Sequence, residues 1–221
     1  MNVLIVGASR GIGLEFVRQY RAEGATVTAT ARDAAGLARL KELGATALRL
    51  DLLDAASASG LGRQIEGGRF DVAVINAGVS GDRVAPLEAP TEANFDAVMR
   101  TNVLGPMRVI PPIAEALAPG ARLAVLSSRM GSIGSRTSAS SWLYRASKAA
   151  VNSVLKDTAL SLGTRAACVG FHPGWVRTDM GGSGADIDVA TSVAGMRKVI
   201  AGLKAADTGA YRNYDGETIP W

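Results

Sequence analysis

Tyr144 and Lys148 stand four residues apart in Y-R-A-S-K, inside a stretch whose periodicity predicts helix from Ser141 to Leu162. Side chains four apart share one helix face, so the spacing sets an ammonium beside a phenol. A phenol titrates near pH ~10, too high for efficient proton transfer at neutral pH, and a neighbouring cation is expected to lower that value. The pair is a candidate general acid/base. Spacing alone proves little, because Tyr and Lys at this separation occur on many solvated helices. The rest of the chain must supply the context.

The elements that would position the pair read as an alternation. Short apolar runs recur at Val3 to Val6, Thr26 to Ala31, Ala47 to Leu50, Val72 to Ile75, Leu123 to Leu126 and Ala167 to Phe171, each the length of a fully buried strand. Between them lie stretches of helical periodicity at Ile12 to Glu23, Ala34 to Leu43, Ala55 to Ile65, Glu92 to Leu117 and Trp142 to Leu162. A later helix around Val189 to Leu203 and a strand near Ala210 to Asn213 bring the count to about seven strands. This order predicts an α/β Rossmann fold, a doubly wound parallel sheet with helices on both faces. Gly105-Pro106 interrupts Glu92 to Leu117, which leaves the end of that helix, and whether it kinks, open. Residues 1–221 show no linker, charge run or repeat and read as one domain.

The loop G-A-S-R-G-I-G, Gly7 to Gly13, falls between the first strand and the first helix, where a dinucleotide pyrophosphate would be held. Glycines admit the phosphates to the backbone, and the helix start offers free N–H groups and positive potential. Gly7, Ser9, Arg10, Gly11, Ile12 and Gly13 are therefore candidate cofactor contacts. The spacing is G-x-x-x-G-x-G, not the commoner G-x-G-x-x-G. Cofactor choice falls to the end of the second strand, which reads T-A-R-D. Arg32 there, with Arg10 opposite, would accept a 2′-phosphate, so NADP(H) is expected in preference to NAD(H). Asp33 is the competing feature, since a shift of one position would bring a carboxylate to the phosphate.

Composition narrows the alternatives. The formal charge is +4 and the pI near 9.5, yet basic residues are scattered among 20 acids, which predicts local anion capture and no nucleic-acid binding. One cysteine, Cys168, and one histidine, His172, exclude an internal disulfide and a Cys/His metal cluster. Cys168 sits in the apolar run A-A-C-V-G-F and reads as an inert core thiol in a reducing, cytoplasmic setting. The run after Met1 is too short for a membrane span, so no membrane association is expected.

Six ordered motifs carry a resemblance. They are the glycine loop at Gly7, Gly11 and Gly13; I-N-A-G at Ile75 to Gly78; T-N-V around Asn102; S-S at Ser127 and Ser128; Y-R-A-S-K; and H-P-G-W-V-R-T from His172 to Thr178. Over nearly its full length the chain resembles the classical short-chain dehydrogenase/reductase family. Within it, S-S-R-M-G-S-I-G, H-P-G-W-V-R-T-D-M-G-G and the closing G-E-T-I-P-W look most like the C-factor-like subgroup.

The resemblance implies a carbonyl reductase or alcohol dehydrogenase in which Tyr144 exchanges the substrate proton. Lys148 would lower the pKa of Tyr144 and hold the nicotinamide ribose. Ser128 would polarise the carbonyl, and Asn102 would hold a water in a proton relay reaching Lys148. It further assigns Asp51 and Leu52 to the adenine, Asn76, Ala77 and Gly78 to the adenosine ribose region, and Pro173, Gly174, Val176 and Thr178 to the nicotinamide. A homodimer or homotetramer through the long helices is implied as well.

Three features depart from the pattern or lie outside it. Val6 replaces a usual Thr and Ile75 a frequent Asn, each removing a side-chain hydrogen bond at the cofactor edge. Ser128 lies 16 residues before Tyr144, a longer gap than usual, and alternation puts Ser127 and Ser128 on opposite faces, so only one can serve. Asp51 in D-L-L-D reads equally as a helix cap. On the substrate side, Met130, Trp142, Trp175 and Met180 are candidates for an apolar pocket, and the glycine-rich segment around 179–188 for a small lid admitting a small carbonyl or alcohol compound. The competing reading is a dinucleotide-binding regulatory or signalling protein without turnover.

Overall fold

The computed structural model describes residues 1–82, 85 and 87–221. Seven strands form one sheet: β1 (Asn2–Val6), β2 (Thr26–Ala31), β3 (Thr46–Arg49), β4 (Phe70–Ile75), β5 (Leu117–Leu126), β6 (Ala166–His172) and β7 (Ala210–Asn213). Their order is β3-β2-β1-β4-β5-β6-β7, and every neighbouring pair is parallel. The direction of winding reverses between β1 and β4, which opens a crevice beyond their carboxyl ends. Val6 pairs with Ile75, so the glycine loop and the I-N-A-G turn leave the sheet side by side.

Helices cover both faces because side chains alternate along each strand. Val3 and Ile5 of β1 face a core shared with Phe16 and Val17 of α1 (Gly11–Ala22), Leu40 of α2 (Ala34–Glu42) and Met196 of α7 (Val189–Gly202). Leu4 and Val6 face the opposite core, with Leu61 of α3 (Ala55–Ile65), Val109 and Ile113 of α5 (Gly105–Ala116), and Val151 and Leu155 of α6 (Trp142–Leu162). Leu4, Ile5, Phe16 and Leu155 are fully buried, each worth about 1.5–3 kcal/mol of transfer free energy. The sheet edge is thereby fixed against the helix carrying Tyr144 and Lys148.

Two differences from the sequence-based expectation matter. The expected helix from Glu92 to Leu117 is α4 (Glu92–Met99), a π segment at Arg100–Leu104, and α5. The distortion lies just before Gly105-Pro106 and carries Asn102; Pro106, with no N–H to give to the preceding turn, follows directly on the π segment. At Gly105, an added Cβ would stand 2.9 Å from Leu52 Cδ1, so glycine permits the close approach. Second, β3 is shifted one residue toward the amino terminus, and Leu50 N–H instead donates to Ala31 O beyond the ladder.

Thr30 ties the fold to the glycine loop. Its hydroxyl accepts from Gly7 N–H at 3.0 Å, its carbonyl accepts from Ala8 N–H, and the residue is buried. Thr30→Val keeps the shape and removes the acceptor, leaving a shielded N–H unpaired. We expect a loss of about 1–3 kcal/mol in urea unfolding; unchanged stability would show that solvent reaches Gly7.

Candidate functional site

A cleft of about 530 Å³ runs beyond the carboxyl ends of the central strands. One end is lined by Arg32, Asp51 and Leu52, the floor by Gly7, Ser9, Arg10, Gly11, Ile12, Asn76, Ala77 and Gly78, and the other end by Tyr144, Lys148, Pro173 and Thr178. Its electrostatics follow from how the helices begin. Asp33, Asp54, Thr91 and Asp188 cap α2, α3, α4 and α7 through their side chains. In contrast, α1 has no side-chain cap and no acid in its first turn. Its leading N–H groups and positive end are left to whatever enters the cleft, an arrangement that fits a pyrophosphate. The glycine loop is braced beneath by Asn76, whose Nδ2 donates to Gly7 O at 2.6 Å.

The structure resolves the competing feature at the end of β2. Asp33 accepts from Gly36 N–H at 2.6 Å as the cap of α2 and does not line the cleft. Arg32 does line it and is exposed. Arg10 makes a 2.9 Å ion pair with Asp179 across the cleft mouth, with both side chains about three-quarters exposed. Such a pair is worth roughly 0–1 kcal/mol and yields readily to a phosphate. Asp51 is not the cap of D-L-L-D: Asp54 takes that role, while Asp51 Oδ1 accepts from Leu53 N–H at 3.0 Å and the residue lines the cleft.

At the other end, α6 presents Tyr144 and Lys148. Lys148 is buried, its Nζ donates to Leu126 O at 3.0 Å, and it lies 5.7 Å from the Tyr144 ring centroid. The expectation that Lys148 lowers the phenol pKa is not met in this structure. Burial pushes Tyr144 up to about 12, opposed by a hydrogen bond with the Ser128 side chain and reinforced by Tyr211, while burial pulls Lys148 down to about 8. Loss of hydration is the largest cause of both shifts. Near neutral pH the phenol therefore holds its proton, and Lys148 keeps its charge until the pH approaches about 8.

The two serines diverge as alternation predicts. Ser127 lines the cleft and its Oγ donates to Asn152 Oδ1 at 2.5 Å, whereas Ser128 stands behind the cleft lining with its side chain hydrogen-bonded to the Tyr144 phenol. Asn102, also buried, is occupied by protein: Nδ2 donates to Val79 O at 2.8 Å and Ser147 Oγ at 3.0 Å, and Oδ1 accepts from Val79 N–H at 2.8 Å. A Cβ at Gly78 would stand 3.3 Å from both Asn102 Oδ1 and Lys148 Nζ, so these groups converge on one point of the cleft wall.

Other expected contacts serve packing. Gly13 does not line the cleft; its added Cβ would meet Gly7 O at 2.2 Å, which makes it the point where loop and helix touch. Gly174, with φ +86°, faces Ile187 and Tyr214, and buried Val176 bridges to Ile187. That bridge closes the base of the 179–188 loop, with Arg177 N–H donating to Ile187 O at 2.9 Å. The expected apolar pocket is not assembled: Trp142, Trp175 and Met180 are exposed, Met130 is half-buried, and only Met180 lines the cleft. Asn152 and Tyr211 lie in no motif, and Thr30, Thr101, Ser147 and Asp179 lie inside motifs whose spacing points to other residues; only their three-dimensional neighbours mark them. Among the described residues, no group of three or more His, Cys, Asp or Glu is placed to hold a metal, and no helix is long and apolar enough to cross a membrane.

Comparison with known proteins agrees with this geometry. The profile of a family described as short chain dehydrogenase matches residues 1–186. C-signal of Myxococcus xanthus is 40% identical over 157 residues, covering 70% of this chain and 94% of that protein. A 1-hydroxy-2-glutathionyl-2-methyl-3-butene dehydrogenase of Rhodococcus sp. strain AD45 is 32% identical over 235 residues, covering 100% of this chain and 99% of its own. Among solved structures, a carbonyl reductase from Pseudomonas aeruginosa PAO1 in complex with NADP has a TM-score of 0.87 at 32% identity, covering 100% and 99% of the two chains. A short-chain dehydrogenase/reductase from Burkholderia multivorans with bound NADP reaches 0.90 at 31%, with the same coverage. From the matched profile, the full-length relatives and the shared sheet, the chain belongs to the short-chain dehydrogenase family of oxidoreductases.

Proposed function

We propose that the protein is an NADP(H)-dependent carbonyl reductase or alcohol dehydrogenase acting on a small substrate, with Tyr144 as the acid/base. The observation that carries this reading is the half-buried Tyr144 beside the buried Lys148 at one end of a cleft whose other end is an uncapped helix start and an exposed arginine. The nicotinamide, when bound, supplies or accepts the hydride. The uncapped N–H groups of α1 hold the pyrophosphate, and Arg32, joined by Arg10 once released from Asp179, holds the 2′-phosphate. Asp51, Asn76, Ala77 and Gly78 line the adenosine half, and Pro173 and Thr178 the nicotinamide half.

In reduction the Ser128 hydroxyl donates a hydrogen bond to the carbonyl oxygen, and Tyr144 gives its phenolic proton to that oxygen as negative charge develops there. The Lys148 ammonium offsets the charge left on the phenolate. The side chain of Asn102 braces Val79 and Ser147, which makes positioning its task; the water implied by the resemblance would need other partners. Exposure of Trp175 and Met180 favours a small substrate in an open site over a bulky one enclosed by protein.

Aldehydes, ketones and quinones assayed by NADPH absorbance test the reading. Tyr144→Phe is expected to lower kcat by about 10²–10⁴-fold. NADPH binding without turnover of any of these compounds would favour the regulatory alternative.

The direction of the Lys148 shift fixes a pH profile. For reduction, kcat/KM should stay level up to about 8 and fall above it as Lys148 loses its proton, while Tyr144 remains protonated up to about 12. A profile flat from pH 7 to 10 contradicts this assignment.

Cofactor choice is tested at Arg32. NADPH should bind the wild type at least about tenfold more tightly than NADH, by titration of nicotinamide fluorescence, and Arg32→Glu should abolish that preference. Equal affinities in the wild type would remove NADP(H) specificity.

A further inference from the structure

The turn that follows Ser128 is held from two sides, and only one of them belongs to the cleft. On the cleft side, Gly131 lies against α6: an added Cβ would stand 2.7 Å from the Lys148 carbonyl carbon and 2.9 Å from its Cβ. On the far side, the segment from β7 to Trp221 folds back over the same turn. The Tyr211 hydroxyl donates to Ser128 O, which also accepts from Gly131 N–H at 2.7 Å. The Trp221 ring stacks on the Tyr211 ring, centroids 5.1 Å apart and planes at 20°. Trp221 O accepts from Ile133 N–H at 2.8 Å, and Pro220 O accepts from the Ser132 hydroxyl at 2.5 Å. Arg129 pairs with Glu217 at 2.8 Å. Tyr211 is 1% exposed and Ser132 is 0% exposed, so the bonds these two hydroxyls make are shielded from water, while the Arg129–Glu217 pair lies at the surface.

We infer that Tyr211 and Trp221 are positioning residues: they grip the Ser128 carbonyl and the 131–134 turn, and so set where the Ser128 hydroxyl points relative to Tyr144. Neither residue lines the cofactor cleft, so they act through Ser128 and not through cofactor contact. The grip is needed because the connection from Ser128 to Tyr144 is long, and its middle is held to α6 mainly by Arg145, which donates to Ser140 O at 2.7 Å and Ser138 Oγ at 2.9 Å. Without an anchor next to Ser128, that slack would reach the hydroxyl. The stacked pair also explains why the phenol of Tyr211 stays protonated: burial raises its pKa, and as a donor it fixes the carbonyl. Tyr144 lies close enough to Tyr211 for the two phenols to influence each other's titration.

The inference rests on the reading of Ser128 as the hydrogen-bond donor to the carbonyl, and a double-mutant cycle separates the two. Tyr211→Phe keeps the stacked ring and loses only the hydroxyl; it should lower kcat about tenfold with KM for NADPH within about twofold, as expected for a small misplacement of a reacting group. Trp221→Ala should do the same, with Trp221→Phe restoring most of the rate. In a Ser128→Ala background, Tyr211→Phe should add little, because the group it positions is gone. Independent, multiplying effects of the two substitutions would overturn the positioning role while leaving Ser128 in place. An unchanged kcat in Ser128→Ala alone would instead remove the reading of Ser128, and the positioning role with it. Hydrogen exchange at the Gly131 and Ser132 amides reads the grip without turnover. Faster exchange in Trp221→Ala that still melts cooperatively supports it, and unchanged exchange overturns it.

Discussion

A lysine amine with almost no access to water is the constraint around which the site is built. Burying an ammonium is costly unless it is hydrogen-bonded, and here the compensating acceptor is the last carbonyl of β5, Leu126 O. That bond ties the middle of the sheet edge to α6. Two glycines make the space: Gly78 leaves room at the amine and Gly131 leaves room at the Lys148 backbone. A side chain at either would press on the one charge the cleft must keep. The I-N-A-G turn after β4, the turn after Ser128 and Y-R-A-S-K thus answer one packing requirement from three directions.

The same economy governs the opposite end of the cleft. Four helices spend an Asp or Thr on their first turn, and α1 does not. Asp33 shows how local chemistry places a charge. By closing on Gly36 N–H it starts α2 and keeps its carboxylate out of the cleft lining. Arg32, its neighbour, has no such local duty and faces the cleft.

Much of this was legible in the sequence because parallel strands are buried on both faces and read as continuous apolar runs. Thr26 to Ala31 and Ala210 to Asn213 match β2 and β7, and Ala55 to Ile65 and Trp142 to Leu162 match α3 and α6. The glycine loop and Y-R-A-S-K were visible because their function depends on local spacing. What spacing cannot encode is hydration. Tyr144 and Lys148 share a helix face as expected, yet loss of hydration moves their titrations in directions a solvated helix would not give. Nor could periodicity show which serine faces the phenol through a long connection, or that Tyr211, 83 residues away, holds the carbonyl of one of them. The aromatic and Met residues failed as a pocket for a related reason. Hydrophobicity marks a tendency to be buried, while Trp142 and Trp175 lie on exposed rims where no neighbour covers them.

The π segment at Arg100–Leu104 lets one long helix serve two masters. Ahead of it, α4 buries Val98; behind it, α5 buries Val109 and Ile113 against the sheet, while Asn102 between them grips Val79 and Ser147. A π turn holds more residues than an α turn, so it resets the phase of α5 relative to α4. In evolutionary terms, that makes residues 100–104 a length-locked stretch. Deleting Val103 or Leu104 would rotate the apolar stripe of α5 by about 100° relative to Asn102. Side chains other than Asn102 there can drift, so the length of this turn, together with Asn102, becomes the inherited trait.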